Sequence, residues 1–373
     1  MKMTRPGPGG SVRTGGAGRP GGSRGSAGSG SSGGAAGSGS DPGDAGSDPD
    51  LAPLPVVVEL TEVPALGGLY LRGVGGTARA RATRRRAVAA TDLPGTALVV
   101  RGVRPDAAHL TAYQHLLGET ASDALPAGFV HVLAFPVATA LMVRADFPLP
   151  LLGMVHVANR VEQRRAIRLG ETVDIRVRAA DLRSHRSGVT VDLVAEVSVA
   201  DEIAWRGTST YLAKGYHLTP PTPRPSGPAE PRPSGDAPRS DDSGGEREVW
   251  VAPEPTGLWR LDAGVGRRYA AVSGDRNPIH TSALAAKAFG FPRAIAHGMY
   301  TAARALADVG AARGESYVWQ VEFAKPVLLP STVTVRIAAD DAAGAGPAGG
   351  FTFAAWDART GRRHLRGSVA PPA

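Results

Sequence analysis

Between Leu151 and Ala213 apolar and polar residues alternate, in LLGMVHVANRVEQRRAIRLGETVDIRVRAADL, then GVTVDLVAEVSV, then IAWRGTSTYLA. The same succession returns later as SYVWQVEFAKPVLLPSTVTVRIAAD, GGFTFAAWDA and RRHLRGSVA. Alternation with a period of two, rich in β-branched residues and broken by Gly, Pro or Asp, predicts antiparallel strands with one buried face. Ahead of each set stands one helical candidate: LAFPVATALMV over Leu133 to Val143, and HGMYTAARALADVG over His297 to Gly310. In the second, Met299, Ala303, Leu306 and Val309 or Gly310 recur at helical spacing, which gives a helix with an apolar stripe for a sheet to wrap.

One long helix followed by a run of antiparallel strands, present twice, predicts an α+β protein with a double hot dog architecture. Each half is then an antiparallel sheet around one long helix, and the two halves form a pseudo-dimer within one chain. Composition sets the expected boundaries. Many of the 49 glycines and 31 prolines fall in two stretches poor in large apolar residues. A Gly/Ser-rich tail is expected over 1–52 and a Pro/Ser-rich linker over 218–246, because neither can bury enough apolar area to offset its chain entropy. The folded halves are expected at 53–217 and 247–373, acting as a monomeric pseudo-dimer or a homodimer.

Cysteine is absent, which excludes disulfides, thiolate nucleophiles and Cys-ligated metals and fits a cytoplasmic location. No apolar run reaches the roughly 18 residues of a membrane span. The net charge of +8 comes from scattered arginines with only 5% aromatic residues. That distribution argues against nucleic acid and suits a phosphate-bearing substrate or an acidic carrier protein. GVGGTARARA from Gly73 lacks the flanking strand and helix of a phosphate loop, and the histidines show no i, i+4 pair. No cofactor and no metal are expected.

The chemistry concentrates in YAAVSGDRNPIHTSALAAKAFGFPRAIAHGMYTAARAL, from Tyr269 to Leu306. Ser273, Gly274, Asp275, Asn277 and Pro278 form a turn cluster that holds its polar side chains on an irregular loop. Asp275 and His280, five positions apart, can turn inward together. A carboxylate beside an imidazole suits the addition of water to a double bond, since one proton must leave water and one must reach carbon. Eighteen residues after His280, Gly298 opens the second helix. Its free backbone N–H and the helix dipole offer an oxyanion hole.

The pattern S-G-D-x-N-P-[IL]-H followed by G-F-x-x-x-[IV]-[AV]-H-G-M resembles the motif of MaoC-like, R-specific enoyl-CoA hydratases. The resemblance implies that Asp275 and His280 are the catalytic dyad, that Asn277 orders the site and that the Gly298 amide binds the thioester oxygen. It also implies syn addition of water to a trans-2-enoyl thioester of coenzyme A or acyl carrier protein, giving the (3R)-3-hydroxyacyl thioester, or the reverse dehydration. Ser273, His297 and Met299 are expected beside the substrate, with Ser273 holding the turn and His297 structural. Arg276, Arg293, Lys325, Arg362 and Arg363 are candidates for phosphate contacts.

The first half has a similar segment, ALPAGFVHVLAFPVATALM, but LLGETASDALP upstream lacks an Asp and His at the dyad spacing. It reads as a degenerate half that widens the acyl tunnel, with His131 and His156 as satisfied core or interface histidines. One active site per chain is therefore expected, entirely after the linker. A hot dog thioesterase and a non-catalytic acyl-binding or scaffold subunit are the alternatives.

Overall fold

The computed structural model describes residues 56–83, 86–219, 250–340 and 349–372. The expected tail over 1–52 and the expected linker past residue 219 lie outside them. The first half runs through β1 (Val56–Leu60), α1 (Leu66–Thr83), the short β2 (Ala87–Val88), β3 (Thr96–Val103), α2 (Ala107–Leu117) and α3 (Ala127–Met142). It continues with β4 (Met154–Gln163), β5 (Val173–His185), β6 (Gly188–Val199), β7 (Glu202–Lys214) and the short β8 (His217–Leu218). The second half comprises β9 (Gly257–Leu261), α4 (Val265–Ser273), α5 (Pro278–Thr281), α6 (Ala283–Ala288) and α7 (Gly298–Val309). It ends with β10 (Tyr317–Phe323), β11 (Ser331–Ala339), β12 (Phe351–Asp357) and β13 (Arg363–Ala370).

Eleven strands form one sheet in the order β1-β3-β5-β6-β7-β4-β10-β13-β12-β11-β9. About the seam between β4 and β10 the order is a palindrome, so that β7 matches β13, β6 matches β12, β5 matches β11 and β3 matches β9, with β1 added at one edge. Every pairing in this sheet is antiparallel except the parallel edge of β1 on β3. The alternating pattern explains the fold of each strand. In β11 Val333 and Val335 are buried, and in β10 Tyr317, Trp319 and Val321 are, while their neighbours turn to the other face.

Helix α3 lies on β5 and β6, and α7 on β11. The two helices meet where a Cβ added at Gly128 of α3 would lie 3.1 Å from the Ala303 Cβ of α7. Two sheet-wrapped helices packed together make the double hot dog. Helix α7 falls within a residue of its expected ends at either side. Helix α3 begins six residues before the expected Leu133, because it is buried on nearly every side. Such a helix lacks the polar face whose periodicity would mark its first turn. The expectation of one helix per half also falls short: α1, α2, α4, α5 and α6 are additional. Helix α2 carries its own signals, Asp106 accepting from His109 N at its start and Gly118 in a left-handed conformation at its end. No helix among the described residues is long and apolar enough to cross a membrane.

A buried ion pair ties the halves together beside the seam. Arg313, just past α7, donates from Nη2 to Glu119 Oε2 at 2.8 Å and from Nη1 to the Leu306 carbonyl at 2.9 Å. The side chains of Arg313 and Glu119 are 14% and 4% exposed. The nearby Arg168 bridges to Asp123 and Glu315 are largely exposed and contribute little by comparison. Glu119→Ala leaves a buried guanidinium without its partner and is expected to destabilise the fold by about 3–5 kcal/mol. Urea denaturation checks this, and an unchanged midpoint would show that the pair does not hold the halves.

Candidate functional site

The site is assembled on the chain between α4 and α7. Helix α4 ends at Gly274, whose φ of +72° reverses the chain. Ser273 Oγ bonds back to the Tyr269 carbonyl at 2.8 Å and receives the Asp275 N–H at 3.2 Å. Asn277 then caps α5, its Oδ1 accepting from Ile279 N at 3.4 Å. His280 therefore sits in a short helix, not on the irregular loop expected for both members of the pair. Asn277 and Pro278 are a cap and a first-turn proline, which together start a helix. Gly266 of α4 is needed at this place, because a Cβ there would collide with the His280 carbonyl oxygen.

These turns bring the Asp275, His280 and His297 side chains into one cluster. His280 donates from Nδ1–H to the Ile295 carbonyl at 2.9 Å, which leaves Nε2 as the ring's proton acceptor. His297 donates from Nε2–H to the Asp275 carbonyl at 2.9 Å. The two imidazoles stack with ring centres 3.7 Å apart. Asp275 Oδ1 accepts the Asn277 N–H at 3.1 Å and the hydroxyl of Tyr70. Oδ2 lies 3.8 Å from His297 Nε2, beyond a hydrogen bond.

Burial opposes charge on all three groups, but unequally. For Asp275 burial favours the neutral acid. The neighbouring His297 and His280, the Tyr70 hydroxyl and the Asn277 N–H outweigh burial and hold the carboxyl below its ordinary value. Burial lowers His280 as well, against the pull of Asp275 and the Ile295 carbonyl. His297 is pushed down to about 3 by burial and by His280. The cluster at neutral pH is thus a carboxylate with two neutral imidazoles.

Helix α7 begins next to this cluster. His297 is its N-cap and provides no side-chain cap. The Gly298 N–H has no acceptor among the described residues. A Cβ at Gly298 would lie 3.2 Å from the Phe323 ring, so this position is closely walled.

Ser273, Asp275, Asn277, His280, His297, Gly298 and Met299 all line one cavity of about 630 Å³. Of the arginines and lysine considered for phosphates, Lys325 and Arg363 line it as well. Arg293 bonds to the Pro330 carbonyl at 3.1 Å, and Arg276 and Arg362 are exposed away from the lining. Asp275, His280 and His297 are also the group that could hold a metal ion among the described residues, their ligand atoms lying within 4.8 Å of one another. They are distant in sequence, so no i, i+4 histidine signature announces them.

The expectation that the site lies entirely after the linker is corrected by the lining. The first half supplies Tyr70, His131, Phe135, Leu151, His156 and Tyr211, as well as the exposed cations Arg186 and Lys214. Both histidines line the cavity, His131 buried and His156 half-buried, and of the expected satisfied core or interface histidines His156 falls short. His156 Nε2 is buried without a partner, and its ring stacks on Tyr211 at 4.6 Å. Burial holds His131 near 4 and His156 near 3. Tyr70 reaches Asp275 from 205 residues upstream. It sits within GGLYLRGVGG of α1, where local sequence carries no sign of a site.

With this geometry in view, comparisons with known proteins agree. The family model described as a MaoC like domain matches residues 264–345. The 3-hydroxyacyl-thioester dehydratase X of Mycobacterium tuberculosis is 36% identical over 304 residues, 80% of this chain and 97% of the relative. The fatty acid synthase subunit beta of Aspergillus oryzae is 45% identical over 74 residues, 18% of this chain and 4% of that one. The crystal structure of HtdX from M. tuberculosis matches with a TM-score of 0.60 at 34% identity, over 74% of this chain and 100% of that one. A MaoC-like dehydratase from Phytophthora capsici shares the fold, with a TM-score of 0.56 at 16% identity over 76% of this chain and 98% of that one. A relative matched along nearly its whole length, carrying the same fold, settles the kinship: this chain belongs to the MaoC-like dehydratase family.

Proposed function

We propose that this chain catalyses the reversible addition of water to trans-2-enoyl thioesters, giving (3R)-3-hydroxyacyl thioesters, with Asp275 and His280 as the acid–base pair and Gly298 as the oxyanion donor. The observation that carries this reading is the convergence on one cavity of an ionised carboxylate, a neutral imidazole with its Nε2 unprotonated and a helix-start N–H without an acceptor among the described residues. The name of the mycobacterial relative, a 3-hydroxyacyl-thioester dehydratase, supports the same chemistry.

The steps follow from the groups present. The thioester carbonyl accepts the Gly298 N–H, and the positive end of α7 stabilises the enolate charge that grows on that oxygen. Asp275 and His280 hold a water molecule and take up one of its protons. The water oxygen bonds to C3 as the C2=C3 π bond breaks, and the proton held by the pair passes to C2. One water is added and the pair returns to its starting state. Dehydration is the same path reversed, so both directions require the same protonation state. Because the two groups titrate as a coupled pair, the proton belongs to the pair and not to one member.

His297 orients the pair by its stacking on His280 and its bond to the Asp275 carbonyl, while Ser273 and Asn277 fix the turn. The exposed cations Arg186, Lys214 and Lys325, with the half-buried Arg363, suit the phosphates of coenzyme A or of a carrier's prosthetic arm. Val132, Phe135, Met142, Leu151, Met154 and Leu212 line the cavity from the first half and suit an acyl chain. The degenerate half then contributes the acyl wall of a site whose chemistry lies in the other half, in a chain that works in the cytoplasm.

Two results test this reading. Wild-type protein is expected to hydrate crotonyl-CoA or a longer enoyl-CoA, followed by the loss of enoyl-thioester absorbance. Asp275→Asn and His280→Ala are each expected to lower kcat/KM by about 10²–10⁴-fold, and full activity in both would defeat the assignment. The pH profile provides a second test. Activity requires unprotonated His280, whose pKa lies below its ordinary value of 6.5. The rate should hold steady down through neutral pH and fall only below 6.5, as the imidazole takes up a proton. A loss of activity with a midpoint above 6.5 would contradict a lowered His280.

A further inference from the structure

Helix α1 docks on the catalytic loop through one face. Leu66, Tyr70 and Gly73 recur at i, i+4 and i+7, the spacing of a single helical face. Each meets the site or its wall. A Cβ at Gly274 would lie 2.5 Å from the Leu66 side chain, and a Cβ at Gly73 would lie 2.9 Å from Leu151. Between them the Tyr70 hydroxyl donates to Asp275 Oδ1.

The choice of oxygen is informative. Oδ1 also takes the Asn277 N–H, so both donors act on one oxygen. They fix the plane of the carboxylate and leave Oδ2 without a hydrogen-bond donor among the described residues. Had the phenol served to block the acid, the free oxygen would be the one to cover. Burial and the adjacent carboxylate push the Tyr70 hydroxyl well above the ordinary phenol range, so it remains a donor throughout the working pH range.

We infer that Tyr70 is a positioning residue for the reaction: from the half that lacks the dyad, its hydroxyl anchors Oδ1 of Asp275 and presents Oδ2 to the reacting water. This rests on the reading of Asp275 as part of the acid–base pair. It also gives the first half a role in the chemistry beyond walling the acyl chain, since the carboxylate is fully oriented only when α1 is docked.

The test is a double-mutant cycle in the full chain, read by enoyl-CoA hydration. Tyr70→Phe keeps the ring and its packing and removes only the donor. It is expected to lower kcat about 10- to 100-fold, the range for loss of a hydrogen bond to a charged group. KM should change by less than about threefold, since uniform binding is untouched. The acid limb of the pH–rate profile, set by His280, should move to higher pH, because a carboxylate deprived of a neutral donor pulls more strongly on the neighbouring imidazole and favours its protonated form. In an Asp275→Asn background the same substitution should have no further effect, because Tyr70 acts only through that carboxylate. Leu71→Ala, at an α1 position that is 76% exposed, should leave activity unchanged.

Wild-type kcat and pH profile in Tyr70→Phe, with Asp275→Asn inactive, would overturn this inference and leave the proposed function standing. A rise in activity in Tyr70→Phe would also overturn it, by showing that the phenol restrains the acid. Full activity in Asp275→Asn would instead defeat the function reading itself. If Tyr70→Phe lowered the melting temperature and kcat together, the Asp275→Asn background would decide: a further loss there would mark a merely structural role and overturn the inference.

Discussion

Strand β4 pairs with β10 from Gln163 opposite Tyr317 to Ala158 opposite Glu322, and the rest of the architecture depends on that antiparallel seam. It joins two sheets that would otherwise each end in an exposed edge, a liability for any sheet. It also sets the two wrapped helices against each other at Gly128 and Ala303. The buried Glu119–Arg313 pair adds a second tie between the halves. Held in this way, the end of α4, the start of α7 and the inner faces of β4 and β7 enclose a single cavity drawn from both halves.

Within that cavity the fold manages an unfavourable task, keeping a carboxylate charged beside two imidazoles with little water. It does so with His297 and His280 themselves, and with neutral donors. Tyr70 and the Asn277 N–H face Asp275, while the Ile295 and Asp275 carbonyls each take one imidazole N–H. Each histidine tautomer is thereby set by a backbone group, and one ring nitrogen of His280 remains available as an acceptor. The arrangement is local in origin: a left-handed glycine, an Asn cap, a proline at the first helical position and a helix start follow one another within a short stretch of chain.

That locality explains what could be read from sequence. The strand alternation, the α7 helix and the Ser273 to Met299 constellation are all encoded over short distances, where period and turn chemistry leave clear marks. What escaped was set by tertiary contact. Helix α3 is buried all round and shows no contrast at its start. Helix α1 is rich in glycine and reads as a weak phosphate loop, yet it docks one face on the turn that carries Gly274 and Asp275. His131 and His156 look like core residues on their own strand and helix, and only the fold turns them toward the cavity. A contact such as Tyr70 with Asp275 joins positions 205 residues apart, and no pattern in either segment anticipates the other.

In the proposed function the two halves build one composite site per chain, with the chemistry on one side and the acyl wall on the other. The most direct measurement is the stoichiometry of binding of a saturated, unreactive acyl-CoA to the purified full chain by isothermal titration calorimetry. One molecule bound per chain is predicted. Two equivalent molecules per chain, one for each hot dog, would contradict a composite site.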